Sequence, residues 1–136
     1  MLVAQDGSLL LSAGDDAVLK IWSLRSGEQW QEIFCTFHGP IGAIAWVDLG
    51  GGLDRAFVFG CGDGSIHLYV RDDATDVFLF RSLVCAHKGY VEDIRFDPSH
   101  GRLVTIGQGA VQVWRFESEG SISAVWATKP RKDYMA

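Results

Sequence analysis

Three groups of polar residues recur along this 136-residue chain and could carry chemistry: Ser12, Asp16 and Trp22; His38, Asp63 and Tyr69; His87, Thr105 and Trp114. A carboxylate that orients an imidazole, which in turn deprotonates a hydroxyl, is the relay of a hydrolase. The same residue types also build an internal network. A buried indole N–H, imidazole and hydroxyl each carry a polar atom that must be paired away from water, and one chain of hydrogen bonds satisfies them all. The groups recur once per repeat, whereas catalysis needs one copy. We read them as structural ties and assign no catalytic residue. The copies are uneven. The first has no His. In the second, Tyr69 stands in for an indole and Phe59 falls near the hydroxyl position. In the third, Gln108 falls near the acid position. Incomplete networks predict marginal stability, since losing one partner of a buried hydrogen bond costs about 1–3 kcal/mol.

Other residues offer less. His67 alternates with Ile66 and Leu68 and is expected to face solvent; His100 sits in a turn. Neither has a Cys or His at ligand spacing. Cys35, Cys61 and Cys85 are odd in number, form no C-x-x-C pair and lie among apolar residues, as reduced core cysteines do. The run Gly60-Cys61-Gly62-Asp63-Gly64 lacks the helix and the Lys-Ser/Thr of a phosphate loop. Asp72, Asp73 and Asp76 lack EF-hand spacing and its terminal Glu. Neither metal nor cofactor is expected.

These side chains need a scaffold, and the scaffold repeats. Lys20-Ile21-Trp22, His67-Leu68-Tyr69 and Gln112-Val113-Trp114 end strand-like runs at intervals of 47 and 45 residues. β-branched and aromatic runs of five to eight residues, broken at Gly, Asp, Pro or Ser, predict strands near 9–12, 18–24, 30–36, 41–47, 56–60, 65–70, 77–84, 91–96, 103–106, 110–116 and 122–127. No segment offers a helix; 28–37 comes nearest. Four short antiparallel strands per unit of about 45 residues describe a propeller blade.

The chain resembles the WD40 family. Ser12-Ala13-Gly14-Asp15-Asp16-Ala17-Val18-Leu19-Lys20-Ile21-Trp22 is similar to that family's second and third strands with their turn, and Cys61 to Tyr69 repeats it. Thr105 to Trp114 is a third copy, one residue shorter. His38-Gly39-Pro40-Ile41 and His87-Lys88-Gly89-Tyr90-Val91 resemble the Gly-His approach to the innermost strand, with Phe37 and Ala86 in place of the Gly. The resemblance implies an all-β partial β-propeller of about three four-stranded antiparallel blades, the first lacking its inner strand. Blades are expected at about 1–37, 38–86 and 87–128, with a polar tail at 129–136. It also implies that Ser12, Asp16 and Trp22, and their counterparts, form the internal network. Loops entering the inner strands and loops joining second and third strands are expected to share one face. That face would present Pro40, Lys88, Tyr90, Asp15, Gly62 and Gln108 to a partner.

Bulk properties set limits. The net charge of −5 argues against a nucleic-acid grip. The basic cluster Lys129, Arg131 and Lys132 reads as a solvated terminus. No run approaches a membrane span, and the first residues lack a basic signal region. An intracellular setting is expected. Three blades do not close a ring, so the chain is expected to be a fragment of a longer propeller or to self-associate. The function expected is a non-catalytic protein-interaction scaffold. The alternatives are a propeller hydrolase, which needs one unique nucleophile–base pair in a deep pocket, and a substrate-recognition or chromatin-reading propeller.

Overall fold

A computed structural model describes residues 2–52, 54–117 and 120–128. The expected tail 129–136, with its basic cluster, lies outside the described residues. Twelve strands follow one another: β1 (Leu2–Asp6), β2 (Leu9–Ala13), β3 (Val18–Ser23), β4 (Gln29–Phe34), β5 (Ile41–Val47), β6 (Ala56–Cys61), β7 (Ser65–Arg71), β8 (Phe78–Cys85), β9 (Asp93–Asp97), β10 (Arg102–Gly107), β11 (Ala110–Phe116) and β12 (Ile122–Ala127). Among the described residues one 3-10 turn, Thr36–His38, overlaps the end of the stretch 28–37 that comes nearest to a helix. The strands form three antiparallel sheets in chain order, β1–β4, β5–β8 and β9–β12. The expectation of a first blade without its inner strand is therefore corrected: β1 pairs along β2 from Leu2↔Ala13 to Asp6↔Leu9. The segment Leu2-Val3-Ala4-Gln5-Asp6 is short and breaks no pattern, so only its partner strand reveals it.

The sheets stack face to face through two apolar layers. Leu9, Leu11, Leu19 and Ile21 of the first blade pack on Ile41, Phe57, Phe59 and Phe78 of the second. Val58, Ile66 and Leu68, on the second blade's other face, pack on Val91, Ile94, Leu103 and Trp114 of the third. Among the described residues, only the middle blade is covered on both sides. Every residue of β6, Ala-Phe-Val-Phe-Gly-Cys, is buried, the continuous apolar run expected of a strand with no solvent face. In the outer blades burial alternates instead, as in β2 and β10.

The inner strands β1, β5 and β9 lie side by side. Their approach demands small residues: a Cβ on Gly42 would overlap the carbonyl oxygen of Val91 and the ring of Tyr90. Fourth strands lie at the rim, which explains exposed Trp30, Phe34, Leu79, Phe80 and Trp126.

The shortened third copy has a structural reason. Gly107 pairs with Ala110 across a two-residue turn whose Gln108 and Gly109 both have positive φ, 50° and 75°. A two-residue hairpin with this twist continues the strands without splay. The longer turns in the other two blades place one residue each at positive φ, Ala17 and Gly64.

Candidate functional site

Asp16, His38, Asp63, His87 and Gln108 lie in loops at one end of the stack, with Ser12 and Thr105 on the strands just inside it. Backbone hydrogen bonds weld five loops into one surface. Ile41 N donates to Gly14 O (3.1 Å), Gly62 N to Pro40 O (2.8 Å) and Asp63 N to His38 O (3.0 Å). Ala86 N and His87 N both donate to Gly64 O (2.9 and 3.0 Å), and Glu92 N donates to Ile106 O (2.7 Å).

Inside this surface each blade carries a different network. In the third, Trp114 Nε1 donates to Thr105 Oγ1 at 3.0 Å, and the same hydroxyl meets His87 Nε2 at 2.9 Å. All three side chains are buried. Burial holds the His87 pKa below its ordinary value, against the pull of nearby Glu92. In the first blade, Trp22 Nε1 donates to Ser12 Oγ at 2.9 Å on the uncovered face, where both are half-buried. Asp16 is exposed and accepts from Val18 N at 3.2 Å, closing its own turn.

The middle blade is rewired. His38 Nδ1–H donates to Asp63 Oδ2 at 2.7 Å. Ser65 Oγ–H donates to Asp63 Oδ1 at 2.5 Å and accepts from His67 Nε2–H at 2.9 Å. Burial is the largest influence on Asp63 and raises its pKa, but the hydrogen bonds of Ser65 and His38 together outweigh it and hold the carboxyl below its usual value. His67 corrects the sequence reading. It is 4% exposed, stacked on Phe59 at a centroid distance of 4.7 Å, and burial pushes its pKa down to about 4. Strand alternation does place it opposite Ile66 and Leu68, but that opposite face is covered by the first blade. Tyr69, read as an indole substitute, stacks with Phe57 and Phe59 instead, at 5.7 Å from each. A Phe at the hydroxyl position makes ring packing the local solution. Ser65 and His67 were not assigned to the network; the hydroxyl after a Gly-Asp-Gly turn was the available signal.

This Ser–His–Asp cluster is not a nucleophilic relay. The hydroxyl donates its hydrogen bond to the carboxylate, and the imidazole donates to the hydroxyl oxygen rather than accepting from it. Ser65 is 2% exposed. Among the described residues no group of three or more His, Cys, Asp or Glu is placed to hold a metal ion.

Tyr90, Lys88, Asp15 and Gln108 are exposed on the shared surface, and Pro40 and Gly62 are half-buried there. The Gln108 amide lies over Gly89, and its backbone N–H donates to Glu92 Oε2 at 2.8 Å. Phe37, on the same surface, is 98% exposed. Sequence reasoning passed over it, although it occupies the position where the resemblance expects Gly. Elsewhere, the Arg71 side chain at the end of β7 is 12% exposed, pairs with Asp76 at 3.3 Å and lies over Trp30 and Phe78. Cys85 is exposed rather than a core residue.

Comparison with known proteins follows the same lines. Residues 2–23, from β1 through β3, match the family model "WD domain, G-beta repeat". A guanine nucleotide-binding protein subunit beta-like protein of Encephalitozoon cuniculi (strain GB-M1) is 23% identical over 119 residues. That alignment takes in 86% of this chain and 34% of the relative. A chain in the crystal structure of a mitotic checkpoint complex superposes with a TM-score of 0.72 at 23% identity, over 94% of this chain and 37% of that one. The chain thus spans about a third of the length of these relatives.

Proposed function

We propose that this chain, a WD40-repeat protein by its blades and its matched repeat, is a non-catalytic scaffold that binds other proteins through the loop surface described above. The observation that carries the reading is the continuous hydrogen bonding of the five loops across all three blades. A rigid scaffold presenting loops is the usual setting for binding residues. Tyr90 is the central contact, 41% exposed with one ring edge held against Gly42; Pro40, Lys88, Asp15 and Gln108 surround it. An aromatic fixed on one side offers contact area at little entropic cost. One relative is named for its likeness to a protein subunit and the other is a chain in a complex, which supports protein partners. An intracellular setting belongs to the same reading.

Part of a longer propeller is the state we favour. The first blade's outward face shows the Trp22–Ser12 pair beside a groove of about 250 Å³ lined by Asp15, Asp16, Val18 and Lys20. Such a face suits a further blade. Site-specific photo-crosslinking tests the binding surface. A benzophenone amino acid placed at position 90 should yield discrete protein adducts in cells, and one at exposed Ser99, at the opposite end of the stack, should not. Equal labelling from both positions would refute this surface.

A further inference from the structure

We propose that Phe37, with Asp15 and Asp16, receives an arginine side chain of a partner protein at the junction of the first and second blades. The inference rests on the reading of the loop surface as the binding face; it adds a contact point apart from Tyr90 and the chemistry of the partner that fits it. Phe37 is 98% exposed, yet its backbone is braced on both sides. Cys35 N donates to Ala17 O (2.8 Å) and Ile41 N to Gly14 O (3.1 Å), which ties the stretch 35–41 to the first blade's turn. Asp63 N donates to His38 O (3.0 Å) and Gly62 N to Pro40 O (2.8 Å), which ties the same stretch to the second blade's turn. His38 N closes the short turn on Cys35 O (2.9 Å), and the His38–Asp63 pair at 2.7 Å adds a side-chain link. The phenyl ring therefore stands in water on a fixed support. Exposed rings of this kind are over-represented at interface anchors, because little freedom is lost when they are covered.

The bonds to the first blade also set what stands beside the ring. Residues 35 and 41 are bonded to residues 17 and 14, so the two loops run side by side in opposite directions. Between those bonds lie Asp15 and Asp16 on one loop and Phe37 on the other. Both aspartates are exposed. Among the described residues, Asp15 makes no side-chain hydrogen bond or ion pair. Asp16 accepts from Val18 N through one oxygen at 3.2 Å, which leaves its second oxygen to a partner. Asp63, on the other flank, is answered by His38. Lys88 belongs to the loop that enters the third blade, at the next junction. The edge of the surface around Phe37 is thus aromatic and anionic. A guanidinium matches both properties at once: its flat face stacks on the ring, and its N–H fork meets the carboxylates. A lysine ammonium has no plane to stack and presents only a point charge.

NMR titration of the isotope-labelled full chain with acetyl-Gly-Arg-Gly-amide tests this, with the matching Lys peptide as control. Amide shifts should centre on residues 14–17 and 36–39, and the Arg peptide should bind at least ~3-fold tighter than the Lys peptide. Phe37→Ala should weaken the Arg peptide by about 3-fold, and Phe37→Trp, with the better cation-binding ring, should tighten it. Asp15→Asn combined with Asp16→Asn should weaken both peptides, as should added salt; Asn at position 16 keeps the oxygen that accepts from Val18 N. Amide shifts elsewhere should stay in place in every variant, because the altered side chains lie in solvent. Equal binding of the two peptides, shifts centred on the acidic loop at Asp72, Asp73 and Asp76, or an Arg response indifferent to Phe37→Ala would overturn the inference. The crosslinking from position 90 separates it from the reading it rests on. Adducts there without an arginine response at Phe37 would sink this contact and leave the loop surface standing, whereas absence of both would sink the surface itself.

Discussion

Thr105→Val is the sharpest test of the reading that the recurring polar groups are ties. Thr105 has no exposed surface, and its hydroxyl serves both Trp114 Nε1 and His87 Nε2. Valine keeps the shape and removes the oxygen. Two buried groups then lose their partner, each at about 1–3 kcal/mol. Partial relaxation leaves an expected loss of about 2–4 kcal/mol, a large share of the stability of a domain this size. Thr105→Ser keeps the hydroxyl and removes one methyl, at about 1 kcal/mol. Ser12→Ala supplies the contrast. Its indole partner is half-buried on the uncovered face, so water can replace the oxygen and the loss should stay below about 1 kcal/mol. Urea unfolding followed by Trp fluorescence measures all three. With slopes of about 1–3 kcal/mol per M, the Val variant should shift the midpoint by roughly 1–2 M. A Val variant within 0.5 kcal/mol of wild type (about 0.3 M), or a Ser variant costlier than Val, would refute the argument.

Two further outcomes follow from the same structure. His67 titrates at about 4 when folded and near 6.5 when unfolded, so the unfolded chain binds the extra proton between these values. Stability present above pH 6.5 is therefore lost as pH falls toward 4, by about 3 kcal/mol from this group; pH-dependent urea melts should show the slope, and His67→Phe should flatten it. Two of the positive-φ glycines, Gly64 and Gly101, should behave differently on change to Ala. At Gly101 nothing lies within 4 Å of the added methyl, leaving the left-handed backbone cost of about 1 kcal/mol. At Gly64 the methyl would overlap the His87 carbonyl across the blade junction, and thermal melts of Gly64→Ala should show a fall in melting temperature several times larger.

The pattern of runs and breakers carried most of the fold. Period-two alternation in Val18–Ser23 and Arg102–Gly107, and the Gly-Asp-Gly turn, are local signals with local causes, and the observed strands follow them. β1 escaped because five residues hold no periodicity of their own; its identity comes from the hydrogen bonds of β2. Arg71 is a related case, since an arginine at a strand end looks solvated until Phe78, its partner on β8, and Trp30 of the first blade cover it.

Residue types alone determined which atoms needed partners: indoles, imidazoles, hydroxyls and carboxylates at blade spacing had to be tied or hydrated. Tertiary structure decided which partner each one found. His67 and Thr105 both lie on alternating strands, and nothing local distinguishes a face that meets water from one that meets a neighbouring sheet. Stacking the first blade on the second buried His67 and set Cys35 in one apolar layer with Cys61. The rings beside His67 and Tyr69 come from their own β6–β7 hairpin, but the cover over that face comes from residues tens of positions away, because whole sheets must cover each other's apolar faces.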